Sequence, residues 1–341
     1  GAGHDPDYRQ HHRRRRRLRR GPKERSQIQL SPQALGFCEP ESGRLVKESA
    51  GLVFFEQGQR EGKQQARAGC LQEIVPPRGN MLLSGIFSTQ GDGSLARDNT
   101  VFELKHVSFR YRPHEPALLD INLTVAEGDK IVILGPNGAG KTTLEKLLAG
   151  ILPAEGRLRA FGKPLTAQEI QSKTENAAYR RRVGAVFQQI EFRVVCATVF
   201  DEILFGPLRQ GLPREEASQR TEQILDFCNI RRLVNRLPQN MSGGEKKIVA
   251  IAAMLAENPE VMIFDEPTND LDLESQNWLV TALGQLSAAG KTVITATHSL
   301  ETARELANRV WILGANHRLI ADGGIELLQD REILREAGIL R

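Results

Sequence analysis

Two stretches of this chain carry residue types at spacings that suit phosphate chemistry. Residues 135–143 read GPNGAGKTT, the pattern G-x-x-x-x-G-K-[ST], between the apolar run KIVILG (130–135) and the helix-like TLEKLLAG. Glycines at 135, 138 and 140 let backbone N–H groups converge on phosphate oxygens, where side chains would obstruct the approach. A helix that starts there adds its positive end. In a loop of this kind Lys141 reaches the β- and γ-phosphates and the Thr142 hydroxyl ligates Mg²⁺. The second stretch, residues 261–272, reads VMIFDEPTNDLD: an apolar strand that runs into two carboxylates. Acids at the end of a buried strand need a cation or a reacting water to face. Asp265 is expected to hold Mg²⁺, directly or through water, and Glu266 to orient and polarise the attacking water as general base. The carboxyl ends of parallel strands are where open α/β sheets place their ligands.

The elements that must position these residues read clearly from residue 101 onward. VFELKHVSFRY (101–111) alternates as a strand, and INLTVAEG is a second strand that closes in a turn at Gly128. KIVILG is nearly continuous in apolar residues, as in a parallel strand covered on both faces. Strand-like VGAVF (183–187), VMIF (261–264), TVITAT (292–297) and RVWIL (309–313) then alternate with helix-like segments. This order predicts an α/β fold with a parallel-sheet core, a small antiparallel β subdomain and a helical insertion over roughly 190–255.

Composition narrows the setting. The chain has 341 residues, 40% of them hydrophobic, enough for one large domain or two ordinary ones. It contains no uninterrupted apolar run long enough to cross a bilayer, and its basic start is not followed by the apolar segment of a secretory signal. Work at a membrane would need another chain to hold it there. Cys38, Cys70, Cys196 and Cys228 are scattered with no CxxC pair, which argues against a disulfide framework or a zinc site and fits a reducing cytosol. Residues 1–100 carry 17 Lys+Arg against 11 Asp+Glu, and the remainder 29 against 31, so the net charge of +4 belongs to the N-terminal part. Nucleic acid is therefore not an expected partner of the fold. Residues 1–100 include HHRRRRRLRR, lack periodicity and are read as a disordered basic extension, with Met81 a candidate true start. Residues 101–330 are read as the catalytic domain and 331–341 as a C-terminal tail.

Residues 241–245 read MSGGE, within the helical insertion and upstream of Asp265. Here the chain resembles the ATP-binding-cassette family over nearly all of 101–330: phosphate loop, Gln188 after VGAVF, MSGGE, FDE, the turn NDLD, and His298 in ATHS, in the family's order. The family's signature usually reads LSGGQ, so Met241 and Glu245 depart from it, and the contact of Glu245 is open. The resemblance implies ATP and Mg²⁺ as ligands and a second cassette subunit, in a homo- or heterodimer. It implies that residues Gly135, Pro136, Asn137, Gly138, Ala139, Gly140, Lys141, Thr142 and Thr143 bind the phosphates and that Tyr111 stacks on adenine. Gln188 would contact Mg²⁺ or the lytic water. Ser242, Gly243 and Gly244 would face the γ-phosphate bound by the other cassette, with Asp270 and Asp272 of NDLD at the dimer interface. His298 would hydrogen-bond the γ-phosphate and link to Glu266.

The segment after Gln188, QQIEFRVVCATVFDEILFGPLRQGLPREE, resembles the cobalt-type, or energy-coupling-factor, transporter ATPases through Thr198, Val199, Glu202, Ile203, Phe205, Gly206 and Pro207. It departs from them in having Gln189-Ile190 where relatives have Asn-Pro. The resemblance implies an ATPase at the cytoplasmic face of the cell membrane that drives import of cobalt, nickel or a vitamin. It would work with a transmembrane coupling protein and a substrate-binding membrane component, and apolar Phe192, Val194, Val195 and Phe200 could receive the coupling helix. The turn PTNDLD leaves an alternative, a soluble cassette ATPase that remodels ribosomes or DNA. That branch typically fuses two cassettes in one chain, and this chain has a single phosphate loop. An ATPase of another transporter class would share every catalytic residue.

Overall fold

Strands that are apolar at every position must bury both faces, and the parallel strands of this chain do so. The computed structural model describes residues 99–188, 196–237 and 240–340. All of them lie in the second of two units, Gly1–Gly69 and Cys70–Arg341. The readings of the basic extension, of Met81, and of Phe192, Val194 and Val195 fall outside the described residues.

The central six-stranded sheet has the order β10-β9-β3-β8-β7-β6, from β3 (Lys130–Leu134), β6 (Val183–Val186), β7 (Val261–Asp265), β8 (Thr292–Thr297), β9 (Arg309–Leu313) and β10 (Leu319–Gly323). All pairings are parallel except β9 with β10. Successive side chains of a strand point to opposite faces, and the core divides accordingly. Ile131, Ile133, Val261, Ile263 and Trp311 pack on one face, and Val132, Leu134, Met262, Phe264 and Ile312 on the other. The first face is covered by α1 (Lys141–Leu148) and by an antiparallel sheet of order β2-β1-β4-β5. Its strands are β1 (Thr100–Arg112), β2 (Glu115–Ala126), β4 (Glu155–Ala160) and β5 (Lys163–Pro164).

The second face is covered by the helical insertion. α4 (Val199–Arg209), α5 (Arg214–Phe227) and α6 (Gly243–Ala256) share its core with α7 (Leu273–Ala288), through residues such as Ile203, Ile224, Val249 and Leu283. Between β5 and β6 lie α2 (Ala167–Gln171) and α3 (Lys173–Arg182), and α8 (Leu300–Leu306) follows β8. Residues 331–341, set apart above as a tail, include α9 (Arg331–Glu336), whose Leu334 is buried in the same core together with Ala337. A helix this short shows too little periodicity to be read from sequence. No helix among the described residues is long and apolar enough to cross a membrane.

Candidate active site

The loop between β3 and α1 is shaped by close backbone contacts. Gly140 enters α1 at φ 106°, and a Cβ there would collide with the carbonyl oxygen of Ala117 in β2. A Cβ on Gly135 would lie 2.6 Å from the carbonyl oxygen of Leu313. Only glycine fits both places, so the loop stays tight and the first N–H groups of α1 stay free. Lys141 folds back over the loop, its Nζ donating to the carbonyl oxygens of Gly135 at 2.8 Å and Pro136 at 3.2 Å. Burial lowers its pKa, while Glu266, Asp265 and Glu145 oppose that shift. These carbonyl contacts are weak partners for a buried cation, and a polyphosphate would be a stronger one.

At the end of β7 the carboxylates meet this loop. The Thr142 hydroxyl donates to Asp265 Oδ2 at 2.7 Å, which brings both oxygens expected to ligate Mg²⁺ to one point. Two hard oxygen donors at the mouth of a phosphate cradle suit Mg²⁺, which takes few protein ligands and keeps phosphate oxygens and water for the rest. The residues present fit that ion.

Glu266 is only 5% exposed and adopts φ 48°, a left-handed conformation unusual for a residue with a β-carbon. Its N–H donates to the Ala296 carbonyl at 2.9 Å. Its side chain is held at both oxygens, with His298 Nδ1 at 2.7 Å from Oε1 and the Thr297 hydroxyl donating to Oε2 at 3.2 Å. The His298 ring is more than half exposed, so it can face a ligand above the sheet while Glu266 orients it from below.

The other expected site residues are placed as follows. Tyr111, 55% exposed, lies over the loop with its hydroxyl 3.3 Å from Thr143 Oγ1 and its ring edge-on to Phe109. An aromatic side chain this exposed beside the loop suits stacking on a base. Gln188 is exposed at the last residue described before 196, and among the described residues no side-chain hydrogen bond joins it to the site. Ser242 caps α6: its Oγ accepts from the Glu245 N–H at 3.2 Å, and Glu245 Oε2 accepts from the Ser242 N–H at 3.0 Å. Glu245 therefore completes a capping box, with Arg236 at 3.3 Å from its other oxygen. Among the described residues no hydrogen bond links Ser242, Gly243 or Gly244 to residues 135–143. Asp272 is engaged elsewhere, capping α7 by accepting from the Ser275 N–H at 2.8 Å, which lowers its carboxyl pKa.

Residues 118–269 match the ABC transporter family. An ABC transporter ATP-binding protein of Caldanaerobacter subterraneus is 43% identical over 242 residues, which are 70% of this chain and 99% of that protein. The chain belongs to the ABC transporter family of ATP-binding proteins. The energy-coupling factor transporter ATP-binding protein EcfA of Methanothermobacter thermautotrophicus is 39% identical over 241 residues, covering 70% of this cassette chain and 76% of its own length. Among solved structures, CbiO1 of Clostridium perfringens, part of the ABC transporter complex CbiONQ, superposes with a TM-score of 0.61 at 29% identity, covering 71% of this chain and 96% of that one.

The cassette holds two buried ionisable groups beside this site to which the sequence assigned no role. Lys247 is 3% exposed and donates to the backbone carbonyls of Glu266 and Asn269. Glu145 is fully buried, its Oε1 accepting from the Ala296 N–H at 3.1 Å while Oε2 has no partner. Lys247 has Ile251 one turn on, and Glu145 has Leu148 one turn on but Lys141 and Thr142 one turn before. For Lys247 the available signal is a charge directly before the apolar run IVAIAAMLA; Glu145, one turn from Lys141, carries no such signal.

Proposed function

We propose that this cassette powers an importer of the energy-coupling-factor class from the cytoplasmic face of a membrane by hydrolysing ATP. The observation that carries the catalytic part is the hydrogen-bonded pair Glu266–His298 beside the Thr142–Asp265 contact and Lys141. When ATP enters the loop, the N–H groups that the loop leaves free take up its phosphates, and Lys141 exchanges its carbonyl partners for β- and γ-phosphate oxygens. Tyr111 stacks on the adenine. Thr142 and Asp265, with Gln188, would hold Mg²⁺, which offsets the charge that develops on the phosphates. Glu266 takes a proton from the attacking water, and His298, held through Nδ1, contacts the γ-phosphate with its other ring nitrogen.

Ser242, Gly243 and Gly244 cap an exposed helix end and serve the γ-phosphate of a second cassette, so closure and reopening of two cassettes follow binding and loss of one phosphate at each site. The match to EcfA and the likeness to CbiO1 support work within a transporter complex, and the sequence resemblance adds a transmembrane coupling protein and a substrate-binding membrane component as partners, with cobalt, nickel or a vitamin as cargo. Glu266→Gln, isolated from native membranes in mild detergent, tests both halves. It should still bind ATP while releasing phosphate at least about a hundredfold more slowly, and it should carry a multi-span membrane protein with it. Undiminished phosphate release would overturn the catalytic assignment. Ribosomal proteins in place of a membrane partner would replace the importer by a soluble remodelling role.

A further inference from the structure

We propose that Lys247 is a positioning residue that ties the hydrolytic carboxylate Glu266 to the signature helix α6, so that the placement of Ser242–Gly244 sets the aim of the same chain's Glu266. The inference rests on the role given to Glu266 above. Lys247 lies in the second turn of α6, almost wholly buried, and its Nζ donates 2.6 Å to the Asn269 carbonyl and 3.1 Å to the Glu266 carbonyl. The Asp270 carboxylate stands 3.9 Å away. All three partners belong to the turn that links β7 to α7.

That turn is conformationally unusual, because Glu266 and Asp270 both occupy left-handed backbone, at φ 48° and 64°. Such conformations persist in residues with a β-carbon only where the surroundings hold them. Glu266 is held on one side by its N–H bond to Ala296 and on the other at its carbonyl, which accepts from Lys247 at 3.1 Å and from the Asn269 N–H at 3.3 Å, while Lys247 also holds the Asn269 carbonyl. Loss of Lys247 leaves the Glu266 carbonyl with the longer Asn269 contact alone and frees the Asn269 carbonyl, so the turn can leave its left-handed conformation, and rotation there swings Oε1 away from His298. The turn also touches the start of α6 directly, since a Cβ on Gly244 would lie 2.7 Å from the Asp270 carbonyl oxygen. The first turn of the signature helix and the turn that begins at Glu266 are therefore one packed unit. A shift of α6 on meeting a partner's nucleotide is carried to Glu266 through a buried ammonium and two carbonyls.

A Lys that served only the packing of α6 would not slow the chemical step while sparing ATP binding, and steady-state ATPase kinetics separate the two roles. Lys247→Met should lower kcat about a hundredfold, the size expected when a reacting group is misplaced by about 1 Å, while KM for ATP changes less than threefold. In the Glu266→Gln background the same substitution should add no further loss, because Lys247 acts through Glu266. If Lys247→Met does not fold, Lys247→Arg and Lys247→Gln replace it, with kcat falling in the order wild type, Arg, Gln at constant KM. Wild-type kcat in the Lys247 variants, a rise in KM that accounts for the defect, or a multiplied loss in the double variant overturns the proposal. Glu266→Gln measured alone separates this from failure of the underlying reading: if that variant still turns over, the role of Glu266 falls first.

Discussion

Glu145 sits where α1 would be expected to carry an apolar side chain, among the buried residues Leu144, Leu147 and Leu148. A carboxyl enclosed in this way, close to Asp265 and Glu266, has its pKa raised well above the ordinary range, first by burial and then by those neighbouring carboxylates. Burial therefore favours the protonated form of this carboxyl in the fold, while Oε1 still accepts from the Ala296 N–H. The sign of the pH effect follows. Below the ordinary carboxylate range both folded and unfolded chains hold the proton, and Glu145 contributes no pH dependence. Above it the unfolded chain releases the proton and the folded chain keeps it, so stability falls as pH rises, by about 1.4 kcal/mol per unit until the folded pKa is reached. Glu145→Gln keeps the shape and an acceptor but has no proton to lose. Thermal unfolding followed from pH 5 to 8 should show a smaller decline for Glu145→Gln than for wild type, with equal or greater stability at pH 7 and unchanged ATPase activity. Parallel declines would mean that Glu145 is ionised in the folded chain.

At the scale of the element, the signature helix shows how a departure from a family pattern can preserve a structure. Glu245 stands in place of the glutamine of the LSGGQ signature that the sequence resembles, and it occupies the third position of α6, from which its side chain reaches back to the Ser242 N–H. Glutamate also suits the positive end of a helix. Glu245→Gln should retain the capping box and leave the urea midpoint close to wild type, whereas Glu245→Ala should cost about 1 kcal/mol of stability. Equal midpoints for all three chains would show that the reciprocal hydrogen bonds contribute nothing.

Helices and strands of this fold differed in how far the sequence announced them, for physical reasons. β3, β7 and β8 are buried along nearly their whole length, so their apolar runs were legible. β4 is exposed over its first three residues, and neither α2 nor α3 buries a single side chain, so no periodicity marked them. The phosphate loop and the carboxylates after β7 were legible because the chemistry itself demands those residue types at those spacings. Lys247 was not, because it acts on backbone carbonyls 19 and 22 positions away, and a carbonyl has no sequence signature. Glu145 meets an N–H 151 positions away, a contact that only the folded sheet creates.

The whole molecule is expected to work in pairs, and its own layout supplies the test. Lys141, Thr142, Asp265, Glu266 and His298 gather at one end of the sheet, while among the described residues no hydrogen bond connects the Ser242–Gly244 turn to that cluster. If the signature turn serves the ATP of a second copy, each site is built from two chains, and defects in different chains can complement. Lys141→Ala removes the phosphate contact and leaves the signature turn intact. Gly243→Asp places a negative charge where a γ-phosphate would approach; there is open space around the position of a Cβ there, so the helix accepts it. Each variant alone should be nearly inactive. In a mixed pair, the Gly243→Asp chain brings a sound phosphate loop and the Lys141→Ala chain a sound signature turn, which together restore one complete site of the two. ATPase activity of the mixture should therefore rise well above that of either component, in proportion to the mixed pairs formed. A mixture as inactive as its components would mean that two copies of this chain do not share their sites.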